Sequence, residues 1–291
     1  MLYSLLLLVL ASHQSLTYSS GQNISPAYEG WEQAADGSRY FVFGYMNRNW
    51  EEEIDIPVGP DNMFNIGSAD QGQPTHFLPR RNRFVFRVRV PEGFRDSDEM
   101  IWTLTSHGKT EKAYASLRLD YVIDDVVKAS ETGALGAGTS SPELRGNRPP
   151  SLRLDPAQHT VKVGQSLTLT THVEDDGIPK RRTNNTAGQR LATVPPTRIT
   201  VGKNLGLHVS WFVYRGAGKV TFDPPQVKPW EDTRTGANSP WAPLWIPDPI
   251  PPDGKITTKV IFSQPGTYLL RCRADDGALT TDEDITVVVT P

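Results

Sequence analysis

The chain has 291 residues and a formal net charge of −3 at pH 7, from 30 Lys and Arg against 33 Asp and Glu. A balance this close gives no electrostatic footprint for nucleic acid or for an anionic membrane surface. The length admits two domains of ordinary size, and 24 glycines and 24 prolines set among short apolar segments favour β structure over helical bundles.

The opening stretch, MLYSLLLLVLASHQSLTYSSGQ, reads as a signal peptide over 1–21. Its apolar run, Leu2 to Ala11, is shorter than the roughly 20 residues that span a bilayer, and small residues suited to cleavage follow around Ser19 to Gly21. The n-region lacks Lys and Arg, so its only positive charge is the terminal amine. No second apolar span follows, and ITVVVTP closes the sequence without an anchor tail. The expectation is a secreted or periplasmic protein with no membrane span.

From 23 to 126 the pattern is that of an antiparallel β-sandwich domain. RYFVFGYM (39–46), EEIDIPV (52–58), RFVFRVRV (83–90), MIWTLTSHG (100–108) and KTEKAYASLRL (109–119) alternate apolar and polar residues between turn-forming ones. In RFVFRVRV the alternation puts Phe84, Phe86, Val88 and Val90 on one face and Arg83, Arg87 and Arg89 on the other. With Arg80 and Arg81 these arginines form a basic stripe, expected to be a solvated face balanced by Glu51 to Glu53. Sequons stand at Asn23 and Asn184. The segment from Gly44 to Pro91 resembles stretches of secreted bacterial proteins with no assigned role.

Residues 127–148, small and polar with no apolar period, have the composition of a flexible linker. From 149 to 291 the order SLRL with HTVKV, QSLTLTTHV, GLHVSWFVY, KVTF, KITTKVIF, GTYLLRCRA and DITVVVT is that of an immunoglobulin-like sandwich. Pro149-Pro150, the tryptophan of VSWFVYRGAGKVTF, the FSQPGTYLLRCRADDG run and the closing ITVVV resemble the PKD and related bacterial Ig-like families. The resemblance implies a fold, with Trp211 in the core and Tyr268, Leu270 and Cys272 facing inward on strand F; such modules host unrelated functions. Cys272 is the only cysteine, so no intrachain disulfide forms, and it reads as a small buried hydrophobe.

Catalytic signatures fail on inspection. RGAGKV and SHGKT hold Gly-Lys pairs, but a phosphate loop needs a glycine five residues earlier, where Val213 and Thr103 stand. There is no G-x-S-x-G elbow, and the histidines lack the i, i+4 pairing of zinc hydrolases.

Strand order predicts that the B–C loop (174–204), the C′–E loop (223–254) and the F–G turn converge at one pole. This gathers Trp230, Trp241 and Trp245 with Lys180, Arg181 and Arg182, the candidate binding residues. The tryptophans lie in PWEDTRTGANSPWAPLWIPDPIPP, where no regular period buries them. Three readings stand: a binding platform for a protein partner or a glycan, a lid over the sandwich flank, or a contact between domains. Two DDG triplets place Asp175, Asp176, Asp275 and Asp276 at the same pole as a candidate calcium site, against the plainer reading of Asp-Gly turns. The functional expectation is a non-enzymatic binding or scaffold protein acting through protein–protein interaction or adhesion, with carbohydrate binding in a glycan-processing system as the alternative.

Overall fold

The computed structural model describes residues 18–131, 142–155, 158–180, 206–230 and 249–291. Arg181, Arg182, Trp241, Trp245, most of the B–C loop and the first 17 residues of the expected signal peptide lie outside them. No helix among the described residues is long and apolar enough to cross a membrane.

The fold is nearly all β. In the N-terminal half, β1 (Ile24–Gln33), β2 (Arg39–Asn47) and β6 (Arg80–Arg89) form one antiparallel sheet. A second sheet joins β4 (Asn62–Phe64), β7 (Met100–Ser106) and β8 (Lys109–Ala115), and β3 (Ile54–Asp55) pairs with β5 (His76–Phe77). The two three-stranded sheets bury an aromatic core: Phe41, Phe43 and Phe86 from one meet Phe64 and Trp102 from the other. Phe86 stands edge-on to Trp102, ring centroids 4.9 Å apart at 85°, a favoured quadrupolar geometry. Trp102 also passes its indole N–H to Asn62 Oδ1 at 3.0 Å, while Asn62 Nδ2 donates to the carbonyls of Ile56 and Pro74. A buried polar hub thus pins two loops to the core.

The turn expected at SHGKT is present, with His107 and Gly108 at φ 47° and 72°. The alternation expected in RFVFRVRV breaks. β6 bulges opposite β2, Phe84 adopts φ 51°, and Val85 is buried beside Phe86 and Val88. Three arginines of the stripe find acidic partners outside Glu51 to Glu53. Arg81 pairs with Glu29 at 2.7 Å and Arg87 with Glu32, both across β2 from β1, and Arg83 pairs with Glu131, of the helix at Asp125–Glu131, at 2.6 Å. Asn23, the first sequon, is 2% exposed and donates to Glu111, so it presents no glycosylation site.

The C-terminal half is an immunoglobulin-like sandwich. One sheet runs β10 (Gln158–Lys162), β16 (Thr280–Thr290), β15 (Gly266–Asp275), β12 (His208–Arg215), with β10 parallel to β16. The other runs β13 (Val220–Asp223), β14 (Lys255–Phe262), β11 (Leu167–Glu174), β9 (Ser151–Asp155). Trp211, Tyr268, Leu270 and Cys272 lie between the sheets, as the resemblance implies. Gly216 is required where β12 ends: at φ 127° any Cβ would collide with the Tyr268 ring.

Part of the segment expected to be linker is ordered. Asp125–Glu131 forms a helix, α1, whose Lys128 reaches Glu32 at 2.6 Å and whose Ala129 packs on Ala278 and Leu279 of the F–G turn. The halves also meet along β12. Tyr214 belongs to the N-terminal hydrophobic cluster, and its hydroxyl donates to Gly72 O. Arg215 grips Asp70 with two bonds of 2.7 Å. Arg271 lies 3.6 Å over the Tyr214 ring, binds Asp284 at 2.7 and 2.8 Å, and donates to the carbonyl of Val85 in the β6 bulge.

Arg271→Met would leave Asp284 and Val85 without their donor. Breaking a buried ion pair costs about 3–5 kcal/mol; Asp284 keeps 29% side-chain exposure, so a loss near the lower end, about 3 kcal/mol, is expected in urea unfolding. A loss under about 1 kcal/mol would show that the joint does not carry the fold.

Candidate binding site

A cleft of about 1020 Å³ opens between the two halves. One wall is the N-terminal loop from Trp50 to Glu53 with His76 and Leu78; the other is β12 at Trp211, β13, and the chain from Pro225 to Trp230. Sites of this size at the junction of two folded units commonly take ligands.

The walls are held by identifiable contacts. Arg80 stacks on Trp50 at 3.8 Å, and Trp50 N–H donates to Tyr18 O. Across the cleft, Gln226 Oε1 accepts the Trp211 backbone N–H at 2.9 Å, which ties the 225–230 segment to the open edge of β12. Phe222 packs against the sandwich core from β13. In contrast to Trp102, the indole nitrogens of Trp211 and Trp230 are buried with no hydrogen-bond partner among the described residues. Trp211, which lines the cleft and packs in the sandwich core, is 2% exposed, so its N–H is a desolvated donor.

His76 is the charged centre of the N-terminal wall. Its Nδ1 lies 2.7 Å from Asp55 and its Nε2 3.0 Å from Glu53. Burial works against the charge, but hydrogen bonds to both carboxylates outweigh it and raise the pKa to about 9. At neutral pH this ring is an imidazolium with both nitrogens engaged, a fastener for β3 and β5 and not a base. Behind the same wall, the Arg215 guanidinium holds the Asp70 carboxyl down to about 2. Cys272 is fully buried 3.6 Å from Thr171 Oγ1, and burial pushes its thiol well above the ordinary range.

Of the candidate binding residues within the described chain, Trp230 lines the cleft and Lys180 is exposed at the pole. The DDG triplets do approach that pole together with the residues before β9. Arg148 N–H donates to Asp176 Oδ2 at 3.0 Å. The carboxylates mostly fold back on their own turns: Asp175 accepts from Gly177 N, Asp176 from Ile178 N, Asp275 from Gly277 N, and Asp276 from Ala278 N and Leu279 N. Among the described residues no group of three or more His, Cys, Asp or Glu is arranged to hold a metal. Burial lifts the Asp276 carboxyl to about 6 despite those two amides.

Sequence reasoning missed Trp50, Glu51, Glu53 and His76 as cleft residues. The one available signal was Trp50 itself, a large aromatic in the polar run NRNWEEE outside any strand period, the same anomaly that drew attention to Trp230.

No protein-family model matches the chain, and a search of curated proteins returns no match. Solved structures with some likeness include domains 4 and 5 of the S-layer protein SbsC, at 9% identity over 67% of this chain and 66% of that one, TM-score 0.25. The D00-D0 domain of intimin is matched at 10% identity over 92% of this chain and all 100% of that one, TM-score 0.25. A conjugative transposon lipoprotein from Bacteroides eggerthii DSM 20697 is matched at 11% identity over 47% and 96%, TM-score 0.24. Of SbsC domains 5-6 the chain spans 45%. At TM-scores of this size the likeness carries no argument about function.

The His76 fastener has a pH signature. Its folded pKa, about 9, exceeds the unfolded value of 6.5, so its contribution to stability is complete below about pH 6.5 and is lost as pH rises through about 9. Urea titrations should show stability falling from pH 7 to pH 10, with a flatter profile in His76→Gln. An identical slope in the variant would contradict the assignment.

Proposed function

We propose that this is an exported, non-enzymatic binding protein, an adhesion or scaffold module of the envelope or extracellular space, which holds its partner in the cleft between the two halves. On this reading residues 23–126 and 149–291 are separate sandwich domains and the second is of the PKD type. The observation that carries the reading is the cleft itself: a preformed cavity between the two halves, lined in part by Trp211 and Trp230, whose buried indole N–H groups have no partner among the described residues. A buried donor without a partner costs about 1–3 kcal/mol, and a ligand acceptor placed there recovers it.

Binding is favoured over catalysis by the state of the reactive groups. His76 is a fully engaged imidazolium, and Cys272 is a buried thiol facing Thr171. Neither is set to accept a proton or attack a substrate.

The test is saturable binding of the labelled full chain to the cell surface of its source organism. Trp50→Ala/Trp230→Ala should weaken binding at least about tenfold, or about 1.4 kcal/mol, while Tyr114→Ala, at an exposed position on β8 that does not line the cleft, leaves it unchanged. Equal binding by the cleft variant and the wild type would place the binding surface elsewhere and overturn the reading.

A further inference from the structure

We infer that the ligand of the cleft is a neutral oligosaccharide, a deduction that rests on the cleft being the binding surface. The charges on its two sides are mixed: Glu51, Glu53 and the His76 imidazolium that pairs with Glu53 stand on the N-terminal wall, Lys219 and Lys228 on the C-terminal one. A polyanion meets two carboxylates there and a polycation meets two ammonium groups, whereas hydroxyl groups pair with either as donor or acceptor.

The apolar surface is of the matching kind. Trp50 and Trp230 contribute flat indole rings, and Trp50 is braced from behind the loop by Arg80. Flat rings fit the C–H faces of pyranoses, and the buried Trp211 and Trp230 N–H groups fit ring or hydroxyl oxygens. The cavity lies at the upper end of the range for drug-sized ligands, so it suits several linked sugars better than one.

An extended peptide is the other polar ligand to weigh. Strand addition needs an open backbone edge, and the edge of β12 is spoken for on the cleft side. The Trp211 N–H is taken by Gln226 Oε1 at 2.9 Å, and the Tyr214 carbonyl by Thr75 N at 3.2 Å. Those blocked positions deny a peptide its ladder along β12; the outer edge of β13, which also lines the cleft, is what the peptide arm of the experiment tests.

The experiment is calorimetric titration of the full chain with neutral hexose, pentose and N-acetylhexosamine oligomers of both anomeric linkages, an oligogalacturonate and a proline-rich peptide pool. At least one neutral oligomer should bind, with affinity little changed between 50 and 500 mM salt. Trp230→Phe keeps a ring but deletes the N–H, and should weaken binding about tenfold. In parallel, the indole N–H resonances of Trp211 and Trp230 in the wild-type chain should shift on titration, a readout that needs no variant. No binding by any neutral oligomer, binding confined to the oligogalacturonate or the peptides, or unmoved indole resonances would overturn the inference. If cell-surface binding still depended on Trp50 and Trp230 in that event, the cleft would stand as the binding site and only the sugar would fall.

Discussion

The guanidinium of Arg271 sits at 7% exposure between two cores, a place where an unpaired charge would cost several kcal/mol. It is tolerable because each face and edge is met: Asp284 along one side, the Tyr214 ring against one face, and the Val85 carbonyl beyond. The last contact exists only because β6 bulges at Phe84 and turns the Val85 backbone outward. A local irregularity in one half is therefore matched to a buried charge in the other. With Arg215 on Asp70 and Tyr214 inside the N-terminal cluster, the halves share side chains as well as a boundary.

The cleft is a consequence of that joint. Its walls come from chain segments more than a hundred residues apart, and neither encloses a cavity alone. The N-terminal wall is held by His76 between Asp55 and Glu53, and the C-terminal wall by Gln226 on the β12 edge. On the proposed binding role, a ligand would meet groups already fixed, and little ordering entropy would oppose it. Trp211 holds its buried, unpartnered donor while packed in the sandwich core.

Much of the fold was legible in the sequence, and the reasons differ by segment. Every strand among the described residues of the C-terminal half was anticipated, because segments such as LTLTTHVE and KITTKVIF alternate cleanly and are bounded by glycine, proline or aspartate. In the N-terminal half β1 was missed: ISPAYEGWEQ carries Pro26 and Gly30, both poor strand residues. Gly30, at φ 138°, is there because a Cβ would lie 2.5 Å from Tyr121 O in the segment crossing over β1, a long-range contact with no local trace. β4 and β5, of three and two residues, are too short to show a period. The arginine stripe was visible but its partners were not, since Glu29, Glu32 and Glu131 reach it only through the pairing of β1 and the placement of α1. The cleft was illegible for the same reason: periodicity reports which face of a strand is buried, not which distant loop faces it.

The central claim is that the two halves form one rigid body whose joint shapes the cleft. The most direct measurement is a pulsed electron-electron distance distribution between spin labels at Tyr114→Cys on β8 and Ile261→Cys on β14, both exposed; Cys272, fully buried, should stay unlabelled. The account predicts one narrow distance that broadens when Arg271→Met is added. A broad or multi-peaked distribution in the otherwise wild-type chain would show that the halves move independently, and the cleft would lose its standing as a preformed site.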